Sequence, residues 1–192
     1  MRKATVDRKT KETEISIALA LDGEGAAAIE TGLGFLDHML DLLARHASFD
    51  IRVQAKGDLH VDDHHLVEDV GIVLGLALKE ALGKKEGIAR YGWCIAPMDE
   101  SLVMCALDLG GRPYLAYGLE LPARRVKQFD TELIEEFFRA FVNSAGMNLH
   151  VKQMAGRNTH HLIEAAFKAL ARALGQAAAV TTRGIPSTKG VL

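Results

Sequence analysis

The sequence predicts an α+β protein of two similar halves, each a small, mostly antiparallel β-sheet covered by two α-helices. Three repeated patterns predict it. His-His-x-x-Glu occurs as "HHLVE" at 64–68 and again as "HHLIE" at 160–164, each opening an amphipathic run. Upstream, "FLDHMLDLLARHASFDIRV" (35–53) matches "LIEEFFRAFVNSAGMNLHV" (133–151) as helix, turn, strand. Further upstream, "ETEISIALALDG" (12–23) parallels "ESLVMCALDLGG" (100–111), both alternating as strands do. Duplication accounts for such self-similarity, and gives one domain over 1–192 built of repeats at roughly 1–87 and 88–192.

Taken in order, the chain starts polar and passes into the strand at 12–23. A helix, a turn and a strand follow over 35–53. The next helix begins at the first histidine pair, where Leu66, Val70, Val73, Leu74, Ala77 and Leu78 form one apolar stripe. Asp62 or Asp63 suits its N-cap and Gly83 its end. After a seam near Lys84–Tyr91 the pattern returns, with an additional strand around "GGRPYLAYGLEL". The last helix carries Leu162, Ile163, Ala166, Phe167, Leu170 and Leu174 on one face, with Asn158 as N-cap and Gly175 as the expected stop. The tail "TTRGIPSTKGVL" reads as a loop.

Bulk properties narrow the function. A formal charge of −2 gives no electrostatic reason to expect nucleic acid or an acidic membrane as partner. No apolar stretch approaches the ~20 residues of a membrane span, and the start has no signal-peptide pattern, so a cytoplasmic location is expected. Cys94 and Cys105, without CxxC spacing, argue against a disulfide framework or a thiolate metal site.

The repeated motif suits a metal. Adjacent helical residues point about 100° apart, so His64 and His65 cannot easily grip one ion, whereas a histidine and Glu68 share a face. The repeat also sets His38 opposite Glu136, both metal-competent types. Two centres can then be written, one from His38, His65, Glu68 and His160, the other from His64, Glu136, His161 and Glu164. The eight residues follow from the repeat; their allotment to the two ions stays open. A single HHxxE on a helix is an ordinary solvated patch, but its retention in both copies with a paired fourth position favours ligation.

The stretches "GFLDHMLDLLARH", "DDHHLVEDVGI", "PMDESL", "GRPYL", "NTHHLIEAAFKALARAL" and "PSTKGVL", in this order from Arg8 to Leu192, closely resemble the imidazoleglycerol-phosphate dehydratase family. The resemblance implies a ribosomal S5 domain 2-like fold and a homo-oligomer of 24 subunits with active sites between them. It implies two manganese ions per site and loss of water from D-erythro-imidazole glycerol phosphate to give imidazole acetol phosphate, by way of an imidazolate held between the metals. In that chemistry Glu12 does the proton work, with His65, Glu68, His160 and Glu164 acting beside it at the metals. Phosphate binding falls on Arg90, Arg112, Lys168, Ser187 and Lys189. Substrate contacts are further expected from His38, His46, His64, His65 and His160. Two rival readings of the same residues are a dinuclear metallohydrolase, whose HxHxD-type motifs are absent, and a non-catalytic metal-binding shell.

One position departs from the resemblance: several members carry histidine in an "EHFF" pattern where this chain has "EEFF" and Glu136. Glutamate ligates manganese readily, so Glu136→Ala is expected to lose about one of two bound ions and nearly all activity. Glu136→His should keep both ions, and Glu135→Ala should change little. Metal counting on the three variants decides it, and parental metal content in Glu136→Ala would contradict the repeat alignment.

Overall fold

The structure, a computed structural model, describes residues 1–181 and 184–190, so Val191 and Leu192 of the tail motif lie outside the described residues. The first half runs β1 (Lys3–Lys9), β2 (Thr13–Ala20), β3 (Ala27–Glu30), α1 (Gly34–Ala47), β4 (Asp50–Gly57) and α2 (His64–Leu82). The second runs β5 (Tyr91–Met98), β6 (Ser101–Asp108), β7 (Tyr114–Gly118), a short β8–β9 pair (Arg125–Val126 and Phe129–Asp130), α3 (Leu133–Ala145), β10 (Asn148–Ala155) and α4 (Thr159–Ala178). The sheets repeat one topology, β1-β2-β4-β3 and β5-β6-β10-β7. Each has antiparallel neighbours and one parallel edge pair, β3 on β4 and β7 on β10.

Alternation sets which sheet face is buried. Ile15, Ile17 and Leu19 of β2 and Val103, Cys105 and Leu107 of β6 point inward, as do Ile51, Val53, Leu149 and Val151 from the next strands. α2 lies against β1 and β2, and α4 against β5 and β6. The other two helices cross between halves, α1 packing on α4 and α3 on α2. The result is one continuous apolar core, to which Phe137, Phe138 and Phe167 contribute rings with centroids 5.1–5.9 Å apart.

Three strands beyond the sequence expectation, β1, β3 and β5, complete the sheets. β5 is instructive. Its inward positions are Gly92, Cys94 and Ala96, whereas Tyr91, Trp93 and Ile95 face out with 41–64% exposure, so its pattern reads inverted. The cause is α4: a Cβ on Gly92 would meet the Ala173 carbonyl oxygen at 1.9 Å. Gly175 is likewise no stop. α4 continues to Ala178, and the missing side chain instead admits Ala47 of α1, whose carbonyl oxygen would lie 2.8 Å from a Cβ there. Gly83 does end α2, and the Asn158 side chain does cap α4 by accepting from the amides of His160 and His161.

α2 and α3 touch through Gly71 and Gly75, and a Cβ on Gly75 would fall 2.6 Å from the Phe141 carbonyl oxygen and 2.7 Å from Ser144 Cβ. Gly75→Ala is therefore expected to cost about 1–3 kcal/mol of stability. Gly34→Ala, where nothing lies within 4 Å, is the neutral comparison. Urea midpoints of the two variants check this, and equal midpoints would mean the helix pair has slack.

Candidate active site

α4 begins with the second histidine pair, and its close contact with α1 puts His38 beside it. Glu164, one turn after His160 and itself only 7% exposed, places Oε2 3.1 Å from His160 Nε2 and 3.3 Å from His38 Nε2. The three donor atoms lie within 4.8 Å of one another, a spacing that suits a divalent ion. Burial pushes the Glu164 carboxyl up, but the Lys168 ammonium at 2.6 Å and the two histidines outweigh it and hold the group at about 2. It is a carboxylate, and so able to ligate a cation, at any physiological pH.

This group differs from the sequence allotment. His38 and His160 do stand together, but their third partner within the chain is Glu164, which the repeat had assigned to the other centre; His65 and Glu68 are not in the group. The reason is helical geometry: His160 and Glu164 are i and i+4 on one face of α4, while His65 and Glu68 belong to α2.

The second member of each histidine pair points away from the first, with ring planes at 88° in both copies. His65 Nδ1 lies 3.0 Å from Asp58 Oδ2, and His161 Nδ1 lies 2.8 Å from Glu100 Oε2. A carboxylate on Nδ1 fixes the tautomer and leaves Nε2 free as a ligand or base, the arrangement common around metal-bound histidine. These carboxylates also hold the two imidazoles above their ordinary range, Asp58 acting on His65 and Glu100 on His161. Asp58 carried no signal in the sequence, and Glu100 stood only in a motif without a role.

Glu12 sits in the turn between β1 and β2, its carboxylate 4.0 Å from His65 Nε2. His64 lies half-buried at the start of α2, and Glu68 half-buried one turn later. α3 runs alongside α2, with Glu136 at its start. Arg139 takes Glu135 in a close i,i+4 pair and stands 3.9 Å from Glu136 Oε2, so Glu136 is the less committed of the two carboxylates. His46 lines a cleft with Arg172 and Gln176, where burial and the charges of Lys168 and Arg172 lower its pKa against the opposing charge of Glu164.

Of the expected phosphate residues, Arg90, Arg112, Ser187 and Lys189 line one cavity of about 700 Å³. Arg90 clamps Asp108 with two bonds, 2.7 and 3.1 Å, and donates to the Pro186 carbonyl at 2.9 Å, which ties the tail loop into the cavity wall. Lys79 and Lys85 line it too, unforeseen from the sequence. Lys85 is buried, donates to the Leu109 carbonyl, and is lowered in pKa by that burial. Lys168 is not part of this cavity; it pairs with Glu164 at the ligand cluster.

The cluster and the cavity stand at opposite ends of α4. His160 opens the helix, whereas the Arg90 amide donates to the Ala177 carbonyl at its far end. At ~1.5 Å per residue the stretch of α4 from His160 to Ala177 is about 25 Å long.

The sequence profile of the imidazoleglycerol-phosphate dehydratase family matches residues 31–174. A relative of that name from Desulforamulus reducens is 58% identical, the alignment covering 100% of this chain and 98% of the relative. Another, from Ruegeria pomeroyi, is 57% identical with both chains covered in full. Among solved structures, imidazoleglycerol-phosphate dehydratase from Staphylococcus aureus superposes with a TM-score of 0.84 at 42% identity, over 94% of this chain and 99% of that one. The Pyrococcus furiosus structure in complex with (S)-C348 gives 0.85 at 37% identity, over 97% and 100%. With matches of this extent, the chain belongs to the imidazoleglycerol-phosphate dehydratase family.

Proposed function

We propose that the protein removes water from imidazoleglycerol phosphate, a step of histidine biosynthesis, at a site composed of the ligand cluster of one copy and the cationic cavity of another. The observation that carries the shared site is the distance just described. A ring joined to a three-carbon phosphate cannot bridge about 25 Å along α4, yet both a ring-side cluster and a phosphate-side cavity are present. The strand orders of the two sheets support reading the chain as two repeats, roughly 1–87 and 88–192.

His38, His160 and Glu164 fit a manganese-type ion, being two imidazole nitrogens and a carboxylate held ionised. By repeat, Glu136, His64 and Glu68 form the second ligand set. His65 and His161, each with Nδ1 on a carboxylate and Nε2 taking no hydrogen bond among the described residues, complete the sites of neighbouring copies in a homo-oligomer of 24-subunit type. Ions held by these residues would supply the positive charge that keeps the substrate ring deprotonated and electron-rich, which would ease departure of the adjacent hydroxyl. Glu12 takes the proton from the neighbouring carbon, and the enol so formed relaxes to the ketone. Arg90, Arg112, Ser187 and Lys189 hold the phosphate, and Lys168 keeps the second Glu164 oxygen occupied.

The assay is conversion of imidazoleglycerol phosphate to imidazole acetol phosphate by purified protein. Chelation is expected to abolish activity and yield smaller oligomers, with manganese restoring both; full activity after exhaustive metal removal would contradict the proposal. Glu12→Gln should collapse kcat while substrate still binds, whereas Lys189→Ala should mainly raise KM. Normal turnover by Glu12→Gln would move the proton work to another group, with Asp99 next in line.

A further inference from the structure

The two halves treat one repeated glutamate in opposite ways. Glu12 and Glu100 occupy the same place, one residue before β2 and β6. Glu100 is fully engaged: Oε2 accepts from His161 Nδ1, and Oε1 accepts from the amides of Arg157 at 3.2 Å and Asn158 at 2.8 Å and from the Ser101 hydroxyl at 3.1 Å. The Glu12 carboxylate takes no hydrogen bond among the described residues and is 54% exposed.

The difference lies in the following hydroxyl. Ser101, 1% exposed, donates to its neighbour Glu100. Its counterpart Thr13, 4% exposed, instead donates to Asp69 Oδ2 in a short bond. Asp69, 7% exposed on α2, also accepts from Arg8 Nε of β1 at 2.9 Å through its other oxygen. Both carboxylate oxygens of one buried side chain are thus spent on the strands that flank the Glu12 turn. Thr10 closes that turn, its hydroxyl accepting from the amides of Glu12 at 3.0 Å and Thr13 at 2.9 Å. The second half has Ala165 at the place of Asp69, so this clamp exists only where the glutamate is left free.

We infer that Asp69, with Thr13 and Arg8, is a positioning device for Glu12: it fixes the backbone of the β1–β2 turn against the helix that bears His64, His65 and Glu68, while leaving the Glu12 carboxylate unbonded for proton transfer. This rests on the proton role of Glu12 proposed above. A buried carboxylate is costly unless both oxygens are bonded, so the clamp has essentially one geometry. Misplacing a reacting group by about 1 Å can cost up to ~100-fold in rate, which sets the scale of the effect.

The test uses metal-loaded protein and measures kcat, KM, metal content and thermal midpoint for Thr13→Val, Thr13→Ser, Arg8→Gln and Glu12→Gln. Thr13→Val keeps the shape and removes the hydroxyl. It is expected to lower kcat about tenfold or more, with KM within about twofold and metal content unchanged. Thr13→Ser restores the donor and should recover turnover. Arg8→Gln, at the more exposed end of the clamp, should lower kcat by a smaller factor and guards against a Thr13 variant that fails to fold. A role confined to stability would lower the thermal midpoint of Thr13→Val while leaving kcat at parental level in the cold, and that result overturns the inference. Parental turnover by Glu12→Gln would instead remove the proton role itself, and the inference with it.

Discussion

Where Gly175 of α4 meets Ala47 of α1, an added methyl would sit 2.8 Å from a carbonyl oxygen, and Gly71 and Gly75 of α2 meet α3 with no more room. These side-chain-free contacts between helices of different halves hold the candidate site together. They bring His38, carried by a first-half helix, within reach of His160 and Glu164, carried by a second-half helix. Neither half could assemble that group alone. Because α4 is continuous from Thr159 to Ala178, it also sets the cationic cavity a fixed distance away, at the far end of the same rod.

Duplication supplied two copies of each chemical element, and the copies have been put to different uses. The histidine pairs are alike in that the second member, His65 or His161, leans on a carboxylate through Nδ1. The glutamates before β2 and β6 do not. Glu100 has become part of the frame, held ionised by His161 and by the backbone at the start of α4. Glu12 keeps an open carboxylate on an anchored backbone. A group saturated with hydrogen bonds is a poor proton carrier, and a group on a loose turn is a poorly aimed one; the first half avoids both.

Much of this was legible in the sequence because repetition exposes what selection kept. The two helices after the histidine pairs, the helix–turn–strand units and the pairing of His38 with Glu136 all follow from aligning the chain on itself. The phosphate residues did not; they came from resemblance, and the structure gathers four of the five in one cavity. Tertiary constraints explain the failures. β5 was hidden because α4 lies so close that only small residues fit on its inner face. Gly175 looked like a stop because its true role, admitting another helix, leaves no local mark. Asp58 and Lys85 reach their sites from loops, at positions that periodicity does not encode, and Lys79 from the last turn of α2. Within one chain Glu164 stands with His38 and His160, a grouping that a linear alignment does not give because it matches positions but not the faces that meet across halves.

The proposed active site draws its ligand cluster and its cationic cavity from different copies of the chain. Two variants, Glu164→Ala in the cluster and Lys189→Ala in the cavity, each remove one side. Mixed in equal amounts after chelation, reassembled with manganese and assayed at substrate far below the raised KM of Lys189→Ala, they should place an intact cluster beside an intact cavity in about a quarter of the sites, and so regain a corresponding fraction of parental activity. A verified mixed assembly no more active than either variant alone would contradict the claim and return the whole reaction to a single chain.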